Sequence, residues 1–275
     1  MKKNSERIAF IGNLEPLTKK IFSQARKDYH HAIFIDLSSK RKKIVKNIFS
    51  FKVHEFEKII NLLNISKIKN VCLIGSINRP NLNNIKVDNV LSKYINQLIL
   101  DYKTGDGQIL KSIIHILKKE GFNVKSLKQI NRNFYLENKQ RNLVFVNNKS
   151  DYLDIAKGVS LLKSISKYDN AQSVIISNGY ILGIEAVEGT DSLLKRVILE
   201  KRKLKLSKRE GILIKISKTT QSNLADNPVV GPKTISLIIK SGLNGIAIKK
   251  SNTIFFDREK VLRLMKQSKV NLYLV

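Results

Sequence analysis

The sequence predicts two α/β domains joined by a linker, the first with a mainly parallel, Rossmann-like sheet and the second with a mixed one. Three observations predict it. Short β-branched runs alternate with helical patterns through residue 131; a polar stretch then interrupts them; beyond it, two strands joined by Asn178-Gly179 share a segment with further isolated apolar runs. The chain has 275 residues, 42% of them hydrophobic. That is enough for a sizeable core, since a chain near this length hides roughly 75% of its unfolded surface.

In the first domain, residues 1–131, Ile8 to Ile11 reads as a strand, Pro16 to Tyr29 as a helix and Ala32 to Leu37 as a second strand. Phe56, Ile59, Ile60 and Leu63 stand at helical spacing within Val53 to Asn64, and Asn70 to Ile74 follows as a buried strand. Parallel pairing is the economical arrangement for such alternation. Leu91 to Leu100 and Asp106 to Glu120 read as helices, the latter stopped by Gly121. Residues 132–149 are polar apart from one short apolar run and read as the linker. The second domain, residues 150–275, begins with a helix carrying Ile155, Val159, Leu162 and Ile165 on one face. Ser173 to Ser177, Asn178-Gly179 and Tyr180 to Ala186 form a hairpin. Gly211 to Ile216 and Gly245 to Ile248 read as strands, Thr234 to Lys240 and Arg258 to Gln267 as helices.

Charge is the compositional oddity: 51 Lys and Arg face 22 Asp and Glu, for a formal charge of +29. Nucleic acid, an anionic membrane surface and a phosphorylated substrate all suit such an excess, and so does a bias in base composition with no function behind it. Of the 51, only 11 are Arg, so the forked guanidinium that reads base edges is scarce. Trp is absent and most Phe and Tyr fall in core-like runs, which disfavours a nucleic-acid-binding protein. Cys72, the single cysteine, lies in an apolar run and suits a reducing cytoplasm. No run approaches the length of a membrane span, and no signal peptide is expected. His30, His31, His54 and His115 lack zinc-ligand spacing, and no Gly-x-Ser-x-Gly elbow occurs. Zinc and serine hydrolysis are disfavoured.

The densest chemical signal is Glu185-Ala186-Val187-Glu188-Gly189-Thr190-Asp191, three acids where a strand gives way to a helix. One reading is a helix cap, Thr190 or Asp191, beside two exposed acids. The other is a cradle for a metal or anion, with Glu185, Glu188 and Asp191 as hard ligands and Gly189 and Thr190 presenting phosphate donors at the helix start. The polar loop from Lys215 to Pro232 is the second signal. Lys215 and Lys218 suit phosphate oxygens as point charges, and Asp226 suits a cation or a water, although a turn capped by Asp226 and ordered by Pro228 and Pro232 has the same spacing. Gly12, Gly75 and Gly105-Asp106 mark three loops of the first domain that would share one edge of a parallel sheet, a usual place for ligands.

Together these segments resemble the LpxI family of UDP-2,3-diacylglucosamine pyrophosphatases over nearly the whole chain. The resemblance rests on Glu185 to Asp191, on Gly211-Ile212-Leu213-Ile214-Lys215 leading through Lys218 and Gln221 to Asp226-Asn227-Pro228-Val229-Val230-Gly231-Pro232, and on Leu243 to Ala247. Gly75 with Arg79-Pro80, Gly105-Asp106, Asp154 with Gly158, and Gln172 match more weakly. The chain departs from the family at Gly12-Asn13-Leu14-Glu15-Pro16, where a triple glycine and a Leu-Pro pair are typical, and at Ser222, Asn223 and Asn227. The resemblance implies two linked domains and a magnesium-type cation. It implies hydrolysis of UDP-2,3-diacylglucosamine to UMP and 2,3-diacylglucosamine 1-phosphate (lipid X) in lipid A biosynthesis, with Asp226 as the required acid. Gly12, Gly75, Arg79, Gly105, Asp106, Gln172, Gly189, Thr190, Gln221 and Gly231 are expected to hold substrate, Lys215 and Lys218 to assist catalysis, and Asp226, Glu185, Glu188 and Asp191 to hold the metal. A cytoplasmic, Gram-negative enzyme lying peripherally at the anionic inner-membrane surface is expected, with no nucleic-acid partner and with a homodimer as the default assembly. Hydrolysis of another nucleotide-linked pyrophosphate is the alternative.

Overall fold

The computed structural model describes residues 4–38, 46–77, 87–136, 139–168, 171–205, 209–218, 224–225 and 227–275. The chain forms two compact units, Met1–Arg132 with Ser222–Asp226, and Asn133–Gln221 with Asn227–Val275.

The first unit runs β1 (Asn4–Gly12), α1 (Pro16–Asp28), β2 (Tyr29–Asp36), β3 (Ile48–Ser50), α2 (Phe56–Ile65), β4 (Asn70–Leu73), α3 (Asn89–Ser92), α4 (Ile95–Thr104), α5 (Asp106–Lys119), β5 (Asn123–Val124) and α6 (Leu127–Ile130). Its strands pair in the order β3-β2-β1-β4-β5, every pair parallel, as the alternation predicts. Local chemistry starts α1 sharply. Pro16 occupies the first turn, where its missing N–H costs nothing, and Glu15 and Thr18 form a reciprocal capping box. Ile21, Phe22 and Ala25 then face the sheet. The expected helix Leu91 to Leu100 is instead two, α3 and α4, broken at Lys93-Tyr94. Asp88 caps the first by accepting from the Leu91 amide at 2.8 Å, while the Tyr94 hydroxyl reaches Glu120 at 3.1 Å and its ring packs on the core, so side-chain anchoring overrides helix periodicity. Ala225 joins this core and Leu224 packs against it.

The second unit comprises α7 (Lys149–Ile165), β6 (Ser173–Ser177), β7 (Tyr180–Ile184), α8 (Thr190–Lys203), β8 (Ile212–Lys215), β9 (Val229–Val230), α9 (Pro232–Ser241), β10 (Gly245–Ile248), β11 (Ile254–Phe255), α10 (Arg258–Gln267) and β12 (Asn271–Leu274). The sheet order is β12-β10-β8-β6-β7. β12, β10 and β8 are parallel, whereas β6 runs antiparallel to both β8 and β7, so the sheet is mixed. Asn178 and Gly179 take φ of 48° and 81°, the positive values of a tight hairpin turn that twists with its strands. Alternation splits the sheet between two cores. Ile175, Leu213, Ile246 and Leu272 meet Leu193, Val197, Ile235 and Met265, while Val174, Ile212, Ile214 and Tyr273 meet Ile155 and Leu162. A Cβ on Gly158 would lie 2.8 Å from the Ile214 side chain, so α7 crosses the sheet closely at that glycine.

The polar segment 132–149 is fastened to this second unit. Tyr135 and Leu136 are buried, and Leu143 pairs with Leu272 through backbone bonds of 2.9 and 2.8 Å. Asn271 accepts from the Phe145 amide at 2.8 Å and donates to the Val146 carbonyl at 2.7 Å. Asn271 belongs to a buried network in which Tyr273 and Asn244 both donate to Asp151 at 2.9 Å. Burial pushes the Asp151 carboxyl above the ordinary carboxylate range. Cys72 is fully buried, and burial pushes its thiol up as well. No helix among the described residues is long and apolar enough to cross a membrane.

Candidate active site

The register of the second sheet brings its chemistry together. Ser173, the first residue of β6, lies opposite Lys215, the last residue of β8. β7 then returns the chain so that the Glu185 amide donates to the Ser173 carbonyl at 2.9 Å. A turn follows in which Gly189, at φ 78°, bonds back to Ala186 and opens α8, placing Thr190 in its first turn. The helix cap is therefore Gly189 rather than Thr190 or Asp191, and it makes no side-chain capping bond. A positive φ favours glycine here. Because the cap is backbone alone, the Thr190 hydroxyl turns inward.

Four side chains meet in this space, and all are buried: Ser173 0%, Lys215 4%, Glu185 8% and Thr190 9% exposed. The Lys215 ammonium donates to the Thr190 hydroxyl and lies 3.5 Å from Ser173 Oγ. Thr190 donates to Glu185 Oε1 at 3.0 Å, and the two hydroxyls are 3.1 Å apart. A buried ammonium without compensation would be costly; here a carboxylate lies one hydroxyl away. Glu185 Oε2, also buried, has no hydrogen-bond partner. A carboxylate oxygen only accepts, so this atom retains capacity for a cation or a donor. The cluster stands at the carboxyl end of β8, outside which α/β proteins place ligands.

The other expected acids diverge from it. Glu188 pairs with Arg196 at 2.9 Å, and its own backbone amide, then that guanidinium, hold its carboxyl below the ordinary range. Asp191 pairs with Lys233 of α9 at 2.8 Å, which raises the Lys233 ammonium. Among the described residues no three His, Cys, Asp or Glu side chains stand close enough to hold a metal ion together. The three acids thus do not form one ligand group, because two of them face basic partners on helices. Glu185 alone keeps a vacant hard oxygen of the kind magnesium takes, so the donor chemistry fits a divalent cation with ligands beyond these three. Lys218 is half-buried just past β8, Gln172 precedes β6 with its Oε1 buried and unpartnered, and Gly231 caps α9 before Pro232. Asp226, Gln221 and Arg79 lie outside the described residues.

In the first unit, Gly12 ends β1 and Gly75 follows β4 by two residues. A Cβ at Gly12 would lie 1.9 Å from the Ile74 carbonyl oxygen, and one at Gly75 would lie 2.6 Å from the Thr18 methyl. Both glycines are thus required by close approach. The loop amides are internally engaged: Asn13 donates to the Ser76 carbonyl at 3.0 Å, Leu14 to Asp36 at 2.9 Å, and Glu15 to Thr18 at 2.8 Å. Gly105, at φ 143°, separates α4 from α5, which Asp106 opens. Two partners were missed by sequence reasoning. Asp36 ends β2 and gathers the Leu14 and Ser38 amides; Ser173 opens an otherwise apolar strand core. Their signal is a polar residue at the end of an apolar run, visible only once pairing shows what it faces.

Fold and site together define a two-unit α/β protein that keeps a buried lysine–hydroxyl–carboxylate cluster at the carboxyl edge of a mixed sheet. The chain belongs to the LpxI family: the family's N-terminal domain model matches residues 12–134 and its C-terminal domain model residues 144–273. The UDP-2,3-diacylglucosamine pyrophosphatase LpxI of Caulobacter vibrioides is 29% identical over 213 residues, which span 76% of this chain and 75% of that protein.

Proposed function

We propose that the protein hydrolyses the pyrophosphate bond of UDP-2,3-diacylglucosamine, releasing UMP and lipid X. What supports this is the match of both halves of the chain to one family, whose Caulobacter member bears that activity in its name. In the reaction a water oxygen forms a bond to one phosphorus, the bridging P–O bond breaks, and the bridging oxygen leaves with the other phosphate. The water's protons pass to a base and to solvent. Such a substrate carries two negative charges, so approach of water requires positive charge beside the phosphates. Lys215 supplies one fixed cation, kept in place by Thr190 and Ser173, and Lys218 stands past the same strand end. Asp226 orients the attacking water or ligates a cation, and Glu185 Oε2 is a buried oxygen of the cluster left with acceptor capacity. A bound magnesium ion would supply further neutralisation of the bridging and leaving oxygens.

Release of UMP and lipid X with magnesium tests the proposal, comparing the natural protein with a folded Asp226→Ala variant. Turnover in the first and a loss of about a thousandfold in the second is the expected outcome. No turnover in the natural protein, with folding and metal content verified, would reopen the substrate. Equal turnover in both would keep the enzyme and discard Asp226. Labelled water completes the test: label in lipid X marks attack at the lipid-side phosphorus, label in UMP the other.

A further inference from the structure

Thr190 has one hydroxyl hydrogen and two lone pairs. The hydrogen is spent on Glu185 Oε1, and one lone pair accepts from Lys215. The 3.1 Å contact with Ser173 therefore runs in one direction only, from the Ser173 hydroxyl into the remaining Thr190 lone pair. Ser173 Oγ then has only acceptor capacity left towards Lys215 Nζ, 3.5 Å away. Every hydroxyl proton of the cluster is assigned, and each assignment points from the ammonium towards the carboxylate. Ser173 itself is completely buried, so it reaches no substrate.

We propose that Ser173 is a positioning residue for Lys215: together with Thr190 it holds the ammonium charged and aimed at the carboxyl edge. This rests on the proposed function for its catalytic meaning, though not for its physical test. Among the described residues near it, β6 and β10 carry no titratable residue, Glu185 follows β7 and accepts from Thr190, and Lys218 follows β8. Removing the Ser173 oxygen withdraws an acceptor that favours the charged lysine, so the lysine should lose its proton at lower pH.

The experiment compares the natural protein with Ser173→Ala and Ser173→Thr, following the Lys215 side-chain carbon next to nitrogen by NMR, its signal assigned by loss in Lys215→Arg. The expected result is a titration midpoint moved to lower pH in Ser173→Ala and returned by Ser173→Thr. In parallel, kcat falls about tenfold with KM within about twofold, the loss of one hydrogen bond to a charged group. The alkaline limb of the kcat/KM profile moves in step with the lysine. An unmoved lysine midpoint with unchanged kcat in Ser173→Ala would overturn the proposal, even if the variant were less stable. Should Ser173→Ala fail to fold, Ser173→Cys, of similar size and a weaker acceptor, carries the same readouts. Absence of turnover in the natural protein would count against the proposed reaction, while the NMR titration would still decide the role of Ser173.

Discussion

At the carboxyl edge of the first unit's sheet, the amides of Asn13, Leu14 and Glu15 find partners in Ser76, Asp36 and Thr18. At the carboxyl end of β8 in the second unit, an ammonium and a carboxylate are buried with two hydroxyls, and one carboxylate oxygen is left over. Both edges begin from the same plan, a strand ending in a glycine-bearing loop that turns into a helix. They differ in the charge that each buries. In the first, the Asp36 carboxylate accepts from loop amides and the glycines serve packing; in the second, an ammonium is buried with a carboxylate, one oxygen of which has no hydrogen bond. A buried ammonium held by hydroxyls near an open carboxylate oxygen is what sets the second edge apart.

The largest effect that would break this contrast is at Lys215. Lys215→Met leaves Glu185 buried without a compensating cation, and a loss of about 3–5 kcal/mol in urea unfolding is expected. Turnover should fall at least about a hundredfold. Adding Glu185→Gln should restore most of the stability and none of the turnover, which separates charge balance from chemistry. Gly12→Ala comes next. Its methyl would overlap the Ile74 carbonyl, and a destabilisation of about 3 kcal/mol is expected in the same unfolding measurement, with KM for the folded fraction little changed. A large rise in KM without loss of stability would instead give the first edge a direct part in binding. Smallest is Asp191→Asn, which removes a partly exposed ion pair with Lys233. Its cost should be the smallest of the three and shrink with added salt, as differential scanning calorimetry at low and high ionic strength would show.

Much of the fold was legible because its signals are local. Pro16 with the Glu15–Thr18 box marks the start of α1, and Asn178-Gly179 can close a hairpin in only a few ways. β12 was missed: Asn271–Leu274 is a short apolar run whose strand character comes from pairing with β10. The single helix expected over Leu91 to Leu100 failed because Tyr94 is held by Glu120, 26 residues away. In the site, Lys215, Glu185 and Thr190 were visible as residues suited to anions and cations. Ser173 was not, since a serine before Val-Ile-Ile looks like a strand boundary until its register with Lys215 is known. Glu188 and Asp191 looked equivalent to Glu185 by spacing; Arg196 and Lys233 distinguish them, and neither partner follows from the local run of acids.

The sequence by itself determined the two α/β units, the family and the residue types at the carboxyl edge, because periodicity, turn chemistry and the order of motifs are encoded by neighbours along the chain. The tertiary structure alone decided which of those residues meet. Strand register set Ser173 against Lys215, a backbone cap at Gly189 turned Thr190 inward, and burial converted four polar side chains into one proton-ordered cluster with a single acceptor to spare. The physical reason is that hydrogen-bond satisfaction and the cost of buried charge depend on contacts between segments far apart in the chain.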